Sequence, residues 1–289
     1  MRSEKEMIDL ILDIARKEET VRLVVMNGSR VNPNVSRDPF QDFDIIYFVT
    51  DVAPFVEKQD WLQRFGELMI LQTPEAMGEP APQDDGLFSY LMQFMDGNRI
   101  DLSLRPLKQL HKVYEDSLTV RLLDKDRIIK ALPAPSEKGY LPKPPTPKQF
   151  EDCCNEFWWV SIYVAKALWR GNIFLAKDLL DCAVREKLMK MLDWYIGMRT
   201  NFKLNPGKGG RNYSKVLDAD LMEMLKKAYT GIEIEKNWNA LLDMTSLFRK
   251  TAQEIADKFG LQYPAEDDKK VTAHLEHVRR LPADAKEIY

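Results

Sequence analysis

Cysteines and long apolar runs are scarce in this sequence. Three of the 289 residues are cysteines, and two of them, Cys153 and Cys154, are adjacent. An odd count with this spacing indicates neither a disulfide framework nor a four-ligand zinc site, so we expect free, buried thiols. No stretch approaches the roughly 18 consecutive apolar residues of a membrane-spanning helix. The N-terminal residues also show no signal-peptide core, and we therefore expect a soluble cytoplasmic protein without a membrane partner.

A surplus of basic residues is lacking as well. The chain has 42 Lys and Arg against 45 Asp and Glu, which gives a net charge of −3. Proteins that bind nucleic acid without sequence preference need a basic groove for the phosphate backbone, so this balance argues against that class. An acidic balance suits a small cationic partner instead. The oligomeric state stays open, and a monomer is favoured.

The chain is long enough for two domains with cores of their own, since 45% of its residues are hydrophobic. Six of the sixteen prolines lie between Pro133 and Pro147. Because proline donates no backbone hydrogen bond and interrupts helices, residues 136–147 are predicted to be a linker. The prediction is an α/β (α+β) domain with a mixed sheet at residues 1–135, followed by an all-α helical bundle at 148–289.

Hydrophobic periodicity and turn signals predict the elements of each half. In the first half we expect helices from about Met7 to Glu19 and Val56 to Phe65, an exposed loop from Thr73 to Gly86, and strands at Val21 to Met26, Phe40 to Thr50, Leu68 to Gln72, Phe88 to Phe94 and Arg99 to Leu104. In the second half we expect helices at Gln149 to Arg170, Ile173 to Thr200, Tyr213 to Tyr229 and Glu235 to Phe259.

Two carboxylates, Asp42 and Asp44, stand two residues apart in the strand predicted from Phe40 to Thr50. Because side chains alternate along a strand, both point to one face. The opposite face takes Phe43, Ile45, Tyr47 and Val49, and the strand is expected to be buried on both sides. Unpaired carboxylates in such surroundings repel each other and are costly to desolvate. A bound Mg²⁺ ion relieves the repulsion between them, and Mg²⁺ binds one or two carboxylates plus substrate phosphates. The pair therefore indicates a metal and nucleotide site.

Two further features accompany the carboxylate pair. Gly28 and Ser29 precede it by twelve residues, and a glycine beside a small hydroxyl residue lets backbone N–H groups approach a phosphate. The turn signal Asp96-Gly97-Asn98 leads into a short strand that carries Asp101. Three acidic strand positions are therefore predicted to converge.

In this order, Gly-Ser, Asp-x-Asp and the later strand aspartate resemble the pattern of the nucleotidyltransferase superfamily. A closer resemblance is to the aminoglycoside 6-adenylyltransferases, the streptomycin-modifying enzymes. It rests on Phe40 to Asp51, Asp96 to Leu104 and the segment Glu151-Asp-Cys-Cys-Asn-Glu-Phe-Trp158. The similarity runs over nearly the whole chain, and it implies a nucleotidyltransferase domain followed by a helical substrate-binding domain.

The three aspartates are the predicted catalytic residues. Asp42 and Asp44 are expected to be metal ligands, because two-metal nucleotidyl transfer needs acidic side chains that fix ions about 3.5–4 Å apart. Asp101 either completes a metal shell or accepts the proton of the acceptor hydroxyl, as the third carboxylate does in similar adenylyltransferases, and we prefer the base. Family similarity implies that Ser29 contacts the triphosphate. Arg30 is included in the nucleotide site with Gly28, although a surface arginine fits its position equally well.

The helix from Gln149 is predicted to have a core face and a candidate binding face. A core stripe contains Cys153, Phe157, Val160, Val164 and Leu168. The neighbouring face carries Asp152, Glu156, Trp159, Tyr163 and Lys166. Since carboxylates beside aromatic rings suit an aminosugar, we predict that Asp152, Glu156 and Trp159 bind the acceptor and that Lys166 points to the triphosphate. A solvated helix face is the alternative.

A glycine-rich basic loop runs from Pro206 to Lys215 and leads into a helix. Such a loop can present Lys208 to phosphate, although it lacks the spacing of a P-loop. A flexible connection explains it equally well. Related adenylyltransferases place a Gly-Lys pair here, after a Trp-Tyr helix such as Trp194-Tyr195, and this resemblance adds Lys208 to the nucleotide site.

The expected activity is transfer of AMP from ATP to the 6-hydroxyl of streptomycin, with Mg²⁺ as cofactor and pyrophosphate as the second product, which inactivates the antibiotic. ATP and the cationic aminoglycoside or aminocyclitol are predicted to bind between the two domains. One alternative is a different acceptor, either another aminoglycoside or a lincosamide. A second is a non-catalytic, antitoxin-like nucleotide-binding protein on the same fold, which the loss of one acidic residue would have favoured.

Overall fold

The computed structural model describes residues 1–79 and 85–289. The chain divides into two compact units, Met1–Gly139 and Tyr140–Tyr289. The division lies inside the proline-rich segment 136–147. Residues 80–84, which belong to the loop predicted from Thr73 to Gly86, lie outside the described residues.

The first unit is built on a sheet. Its described strands are β1 (Val21–Asn27), β2 (Phe43–Val49), β3 (Leu68–Gln72), β4 (Phe88–Phe94), β5 (Arg99–Pro106) and β6 (Thr119–Asp124). Their order across the sheet is β3-β4-β5-β2-β1-β6. The central pair, β2 and β5, is parallel, and the other neighbouring pairs are antiparallel. The predicted mixed sheet is confirmed.

Helix α1 (Glu4–Lys17) covers one face of this sheet. A capping box starts it: the backbone N–H of Ser3 donates to the Glu6 carboxylate at 2.7 Å, and the N–H of Glu6 donates to the Ser3 hydroxyl at 3.3 Å. The Tyr47 hydroxyl donates to the carbonyl of Ile11 at 2.6 Å and ties α1 to β2. The buried cluster between them contains the predicted stripe of α1 and the predicted apolar face of β2, namely Met7, Ile11, Ile14, Phe43, Ile45, Tyr47 and Val49.

The opposite face of the sheet has its own apolar cluster. Phe48 of β2 packs there with Val113 of the 3₁₀ segment Leu107–Tyr114 and with Ile129. Strand β2 is therefore buried on both sides, as its composition predicted. Asp44 lies on this second face, near the start of the strand.

Two elements of the first unit differ from the prediction. The helix expected from Val56 to Phe65 is a short helix α2 (Ala53–Glu57) and a 3₁₀ segment, Gln59–Phe65, because Lys58 between them is extended (φ −123°, ψ 103°). Strand β6 was not predicted. Its sequence, Thr-Val-Arg-Leu-Leu-Asp, is short and alternates only in part, and the strand pairs with β1 along the edge of the sheet.

The second unit is helical, as predicted. Its described helices are α3 (Pro147–Trp169), α4 (Ile173–Asp178), α5 (Arg185–Arg199), α6 (Tyr213–Val216), α7 (Ala219–Lys227), α8 (Ile234–Phe259) and α9 (Ala265–Arg280). A π-helical segment, Leu179–Val184, interrupts the single helix expected from Ile173 to Thr200. None of the helices in the described part of the chain is long and apolar enough to cross a membrane.

Helix α3 forms the centre of this unit. Thr146 and Gln149 make a capping box, and Pro147 occupies the first helical position, where its missing N–H has no cost. The predicted core stripe is buried, and Phe157 stacks on Phe248 of α8 with 3.8 Å between ring centroids. Burying this stripe leaves the face with Asp152 and Trp159 exposed.

Candidate active site

Asp44 on β2 lies directly opposite Asp101 on β5. The two strands run parallel, and the Cα atoms of these residues are register partners. Partners on neighbouring strands point to the same side of a sheet. Asp42 precedes β2 by one residue. Parallel pairing of β2 with β5 thus brings the carboxylates into one neighbourhood.

The three carboxylates influence one another. Burial, followed by the charges of Asp101 and Asp42, raises the pKa of Asp44 from 3.8 to about 6. The pKa of Asp42 is also raised, first by burial and then by Asp101, while the guanidinium of Arg99 lowers it. Both shifts show that the site disfavours a set of bare negative charges. A bound cation would favour the ionised forms.

Gly28 brings the backbone of the turn after β1 against Asp44. Its φ of +80° is in the region that favours glycine, and a Cβ built there would collide with Oδ2 of Asp44 and lie 2.9 Å from Cγ. Ser29 follows at the start of the 3₁₀ turn Ser29–Val31. The predicted Gly-Ser turn and the predicted metal ligand are therefore neighbours in space.

Arg30 has a different placement from the one expected. Its side chain is 7% exposed and donates to the carbonyls of Gln41 at 2.6 Å and Asp42 at 3.0 Å. The guanidinium also lies 3.7 Å from the ring centroid of Phe43 and pairs with Glu4 at 3.2 Å. The expected phosphate contact does not agree with these bonds, because they occupy the guanidinium. Arg30 instead ties the Gly-Ser turn to the backbone of Asp42.

Arg99 is a site residue that the sequence reasoning missed. Its Nε donates to Oδ1 of Asp101 at 2.7 Å and its Nη2 donates to Oδ2 at 2.9 Å. The same Nε lies 3.7 Å from Oδ2 of Asp42. Alternation along β5 was a usable signal, since residues two apart on a strand share a face. Contact with Asp42 depends on the pairing of β5 with β2.

Asn27 and Asp116 also belong to this neighbourhood. Asn27 is the register partner of Asp44 across β1 and β2, and its Nδ2 donates to Oδ2 of Asp116 at 3.0 Å. The charge of Asp116 contributes to the raised pKa of Asp44. Within the described residues the buried Oδ1 of Asn27 has no hydrogen-bond partner. No sequence motif pointed to Asp116, because it lies in the connection before β6, which was itself not predicted.

The predicted acceptor face lies on the exposed side of α3. Trp159 is 57% exposed, and its ring contacts that of Tyr163 edge-on with 6.0 Å between centroids. Asp152 pairs with Lys148, one turn earlier, at 2.7 Å. Glu156 is exposed between Asp152 and Trp159. Two carboxylates and two rings thus form one continuous surface on the second unit.

The two predicted phosphate-binding lysines are both exposed. Lys166 lines a cavity of about 480 Å³ together with Tyr163 and Trp169. Lys208 begins the 3₁₀ turn Lys208–Gly210 in the glycine-rich loop. This loop is anchored, because the Tyr213 hydroxyl that follows it donates to Asp193 of α5 at 2.7 Å.

Comparison with known proteins identifies the family. A family model described as streptomycin adenylyltransferase matches residues 1–278. The chain belongs to this family. It is 39% identical to the aminoglycoside 6-adenylyltransferase of Bacillus subtilis (strain 168) over 270 residues, which are 93% of this chain and 95% of that protein. The aminoglycoside 6-adenylyltransferase of Campylobacter jejuni is 40% identical over 270 residues, 93% of each chain.

A solved structure is also similar to this chain. The crystal structure of an aminoglycoside 6-adenyltransferase from Bacillus subtilis is 34% identical, covers 97% of this chain and 100% of its own, and has a TM-score of 0.49. As a member of the streptomycin adenylyltransferase family, the protein is an adenylyltransferase, and the non-catalytic alternative is set aside.

Nucleotidyltransferases use ATP and a divalent metal ion. In the described residues, no group of three or more His, Cys, Asp or Glu side chains is arranged to hold a metal. Asp42 and Asp44 still fit such an ion as a pair, since a hard cation takes one or two carboxylates from the protein when phosphates supply the remaining oxygens. Because Gly28 has no side chain, the backbone of the Gly-Ser turn can lie close beside Asp44.

Proposed function

We propose that this adenylyltransferase transfers AMP from ATP to the 6-hydroxyl of streptomycin, with Mg²⁺ as the divalent ion, and thereby inactivates the antibiotic. The parallel pairing of Asp44 with Asp101 carries the proposal, because it sets a third carboxylate beside the expected metal ligands. The family model is named for streptomycin, and the relatives are aminoglycoside 6-adenylyltransferases. These names support the acceptor and the position of transfer.

Each residue at the sheet has one proposed task. Asp42 and Asp44 hold the divalent ion against the triphosphate, and Ser29 contacts the phosphates. When bound, the ion offsets the negative charge on the transferring phosphate. Asp101 accepts the proton of the acceptor hydroxyl. The hydroxyl oxygen bonds to the α-phosphorus of ATP in the same step. The bond to pyrophosphate breaks, and its electron pair leaves with pyrophosphate.

The helical unit supplies the remaining proposed contacts. Asp152 and Glu156 pair with the cationic groups of the acceptor, and the ring of Trp159 covers an apolar face of the sugar. Lys166 and Lys208 neutralise the triphosphate and the departing pyrophosphate. The exposure of these five side chains leaves them accessible to ligands.

A panel of acceptors tests the proposal. The purified protein is incubated with ATP, Mg²⁺ and streptomycin, kanamycin or lincomycin, and pyrophosphate release is followed together with the mass of each antibiotic. We expect one AMP on streptomycin, attached at the 6-oxygen by NMR, and no product with Asp44→Asn. Product on kanamycin or lincomycin alone would reassign the acceptor. Absence of pyrophosphate with every acceptor would contradict adenylylation of these classes.

A further inference from the structure

The guanidinium of Arg99 lies beside the carboxylates of both Asp101 and Asp42. It donates to both carboxylate oxygens of Asp101, at 2.7 and 2.9 Å, and approaches Oδ2 of Asp42 at 3.7 Å. Two parallel N–H···O bonds of this kind are among the stronger and more directional pairings in proteins. Asp101 is therefore already engaged by a cation of the chain itself.

We propose that Arg99 is a built-in counter-ion that divalent metal displaces from Asp101 and Asp42. The inference rests on the proposed function in one respect, namely that metal binds at Asp42 and Asp44. Before metal binds, Arg99 offsets the repulsion among the carboxylates. When metal binds, Arg99 moves away, and Asp101 becomes free for the acceptor hydroxyl.

Competition follows from the chemistry of the two cations. A guanidinium donates hydrogen bonds and keeps its proton at any working pH, so it can release a carboxylate only by moving. A divalent ion carries twice the charge, and at Asp42 it would bind the carboxylate that Arg99 approaches at 3.7 Å. The Arg99 and Asp101 side chains are 40% and 23% exposed, so solvent screens part of their attraction and can hydrate the guanidinium when it moves.

The structure also provides space for the displaced side chain. Arg99 lines a cavity of about 330 Å³ on the sheet face, together with Ile70, Leu71, Gln72, Leu91 and Gln93. Gln93 is the register partner of Arg99, and Leu91 is the partner of Asp101. This cavity gives the Arg99 side chain room to move away from Asp101 and over β4.

The consequence is a coupling between metal binding and base catalysis. While both oxygens of Asp101 accept hydrogen bonds from Arg99, they are poorly placed to accept the proton of a hydroxyl. Displacement of Arg99 frees Asp101 in the same event that places the metal. The enzyme would then have an active base only when its metal is bound.

Metal titration without nucleotide tests this inference. Mn²⁺ binding is measured by EPR on the full chain for wild type, Arg99→Met and the control Arg105→Met. Arg105 lies on the same strand and pairs with Gln109 at 2.7 Å, so its loss removes the same charge away from the carboxylates. We expect Mn²⁺ to bind Arg99→Met at least about fivefold more tightly than wild type, and Arg105→Met within twofold. Equal or weaker binding to Arg99→Met would overturn the proposal.

A second measurement follows the displacement directly in the wild-type protein. The ¹H–¹⁵N signal of the Arg99 Nε–H is recorded during titration with Mg²⁺, and the signal of Arg105 serves as the reference. We expect the Arg99 signal to shift or to lose its protection from solvent at the Mg²⁺ concentration that saturates the site. An unchanged Arg99 signal at saturation would overturn the proposal even if Arg99→Met does not fold.

Asp44→Asn separates failure of this inference from failure of the proposed function. If this variant binds Mn²⁺ as wild type does, the metal lies elsewhere and the proposed metal site is wrong. If it loses Mn²⁺ while Arg99→Met binds as wild type, the metal site stands and only the displacement of Arg99 is wrong.

Discussion

Gly28 and Asp44 are packed so closely that a Cβ at position 28 fits only if the Asp44 carboxylate moves. The added carbon would collide with Oδ2 of Asp44, and the φ of +80° at Gly28 independently disfavours other residues. The Gly-Ser turn and the Asp-x-Asp strand are therefore one structural unit. Any change at Gly28 should move the carboxylate as well as the turn.

We expect Gly28→Ala to lower kcat by at least about 10² and to reduce the free energy of unfolding by roughly 1–3 kcal/mol, since both strain and collision are introduced. The matched control is Gly97→Ala, because Gly97 has a φ of +88° with open space around its Cβ position. Kinetics and urea unfolding are measured for both. Equal loss of activity in the two variants would show that strain alone, and not contact with Asp44, is responsible.

Asp44 should make the metal-free protein less stable as the pH rises. Its pKa is raised from 3.8 to about 6 in the folded state, mainly by burial. The folded state therefore binds the proton more tightly than the unfolded state, and the free energy of unfolding falls between about pH 4 and 6. Above pH 6 the raised pKa lowers the free energy of unfolding by at most about 3 kcal/mol.

Removing the Asp44 charge should reverse this loss. We expect Asp44→Asn to be more stable than wild type at pH 7.5 in EDTA and nearly equal to it at pH 4, as measured by urea unfolding. Saturating Mg²⁺ should shrink the difference at pH 7.5, because the metal favours the ionised carboxylate. A stability difference of the same size at both pH values would be inconsistent with the raised pKa.

A base at position 101 predicts a particular kinetic pattern. We expect Asp101→Asn to lower kcat by roughly 10²–10⁴ while Mg²⁺-dependent ATP binding stays near normal. Calorimetric titration of the variant with ATP at several Mg²⁺ concentrations gives the Kd for ATP and its dependence on Mg²⁺. Weakened Mg²⁺ dependence would assign Asp101 to the metal shell instead, and unchanged turnover would exclude both roles.

Arg30 should support turnover indirectly, because it holds the backbone of Asp42 in position. Arg30→Met removes the donor to the buried carbonyl of Gln41, at a cost of roughly 1–3 kcal/mol, and the donor to the part-buried carbonyl of Asp42. We expect lower thermal stability and lower kcat with the KM for ATP within about twofold of wild type. A phosphate contact would give the opposite pattern, a large rise in that KM at normal stability. Arg37→Met is the control, since Arg37 also lies near Glu4, at 3.5 Å, but is exposed.

Glu156 provides the test of the acceptor face on α3. A partly desolvated carboxylate paired to a guanidinium contributes roughly 1.5–3 kcal/mol, whereas an exposed pair contributes about 0–1 kcal/mol. We expect Glu156→Gln to raise the KM for streptomycin about tenfold or more, with little change for ATP. Asp152 already pairs with Lys148, so Asp152→Asn should have the smaller effect.

Steady-state kinetics with both substrates varied decides the role of this face. Trp159→Ala completes the set, and Glu223→Gln on α7, another exposed glutamate, is the control for lost charge. If all three α3 variants keep the streptomycin KM within twofold of wild type, the face is solvated and the acceptor binds elsewhere.

Much of the fold could be read from local patterns. Alternation along β2 assigned Phe43 and Tyr47 to one core and Asp44 to the other face, and helical spacing assigned Phe157 to the core of the second unit. These predictions succeed because a strand or helix repeats over a few residues, so its two faces are determined by the sequence within it.

Contacts between distant segments decided the rest. Arg30 follows the Gly-Ser turn directly, yet its guanidinium is buried against backbone from the far end of a twelve-residue connection. Arg99 reaches Asp42 because β5 pairs in parallel with β2, and β6 joins the sheet by pairing with β1. The sequence by itself determined which carboxylates share a face. Tertiary structure decided which cations meet them, because the choice of partner depends on free energies summed over segments far apart in the chain.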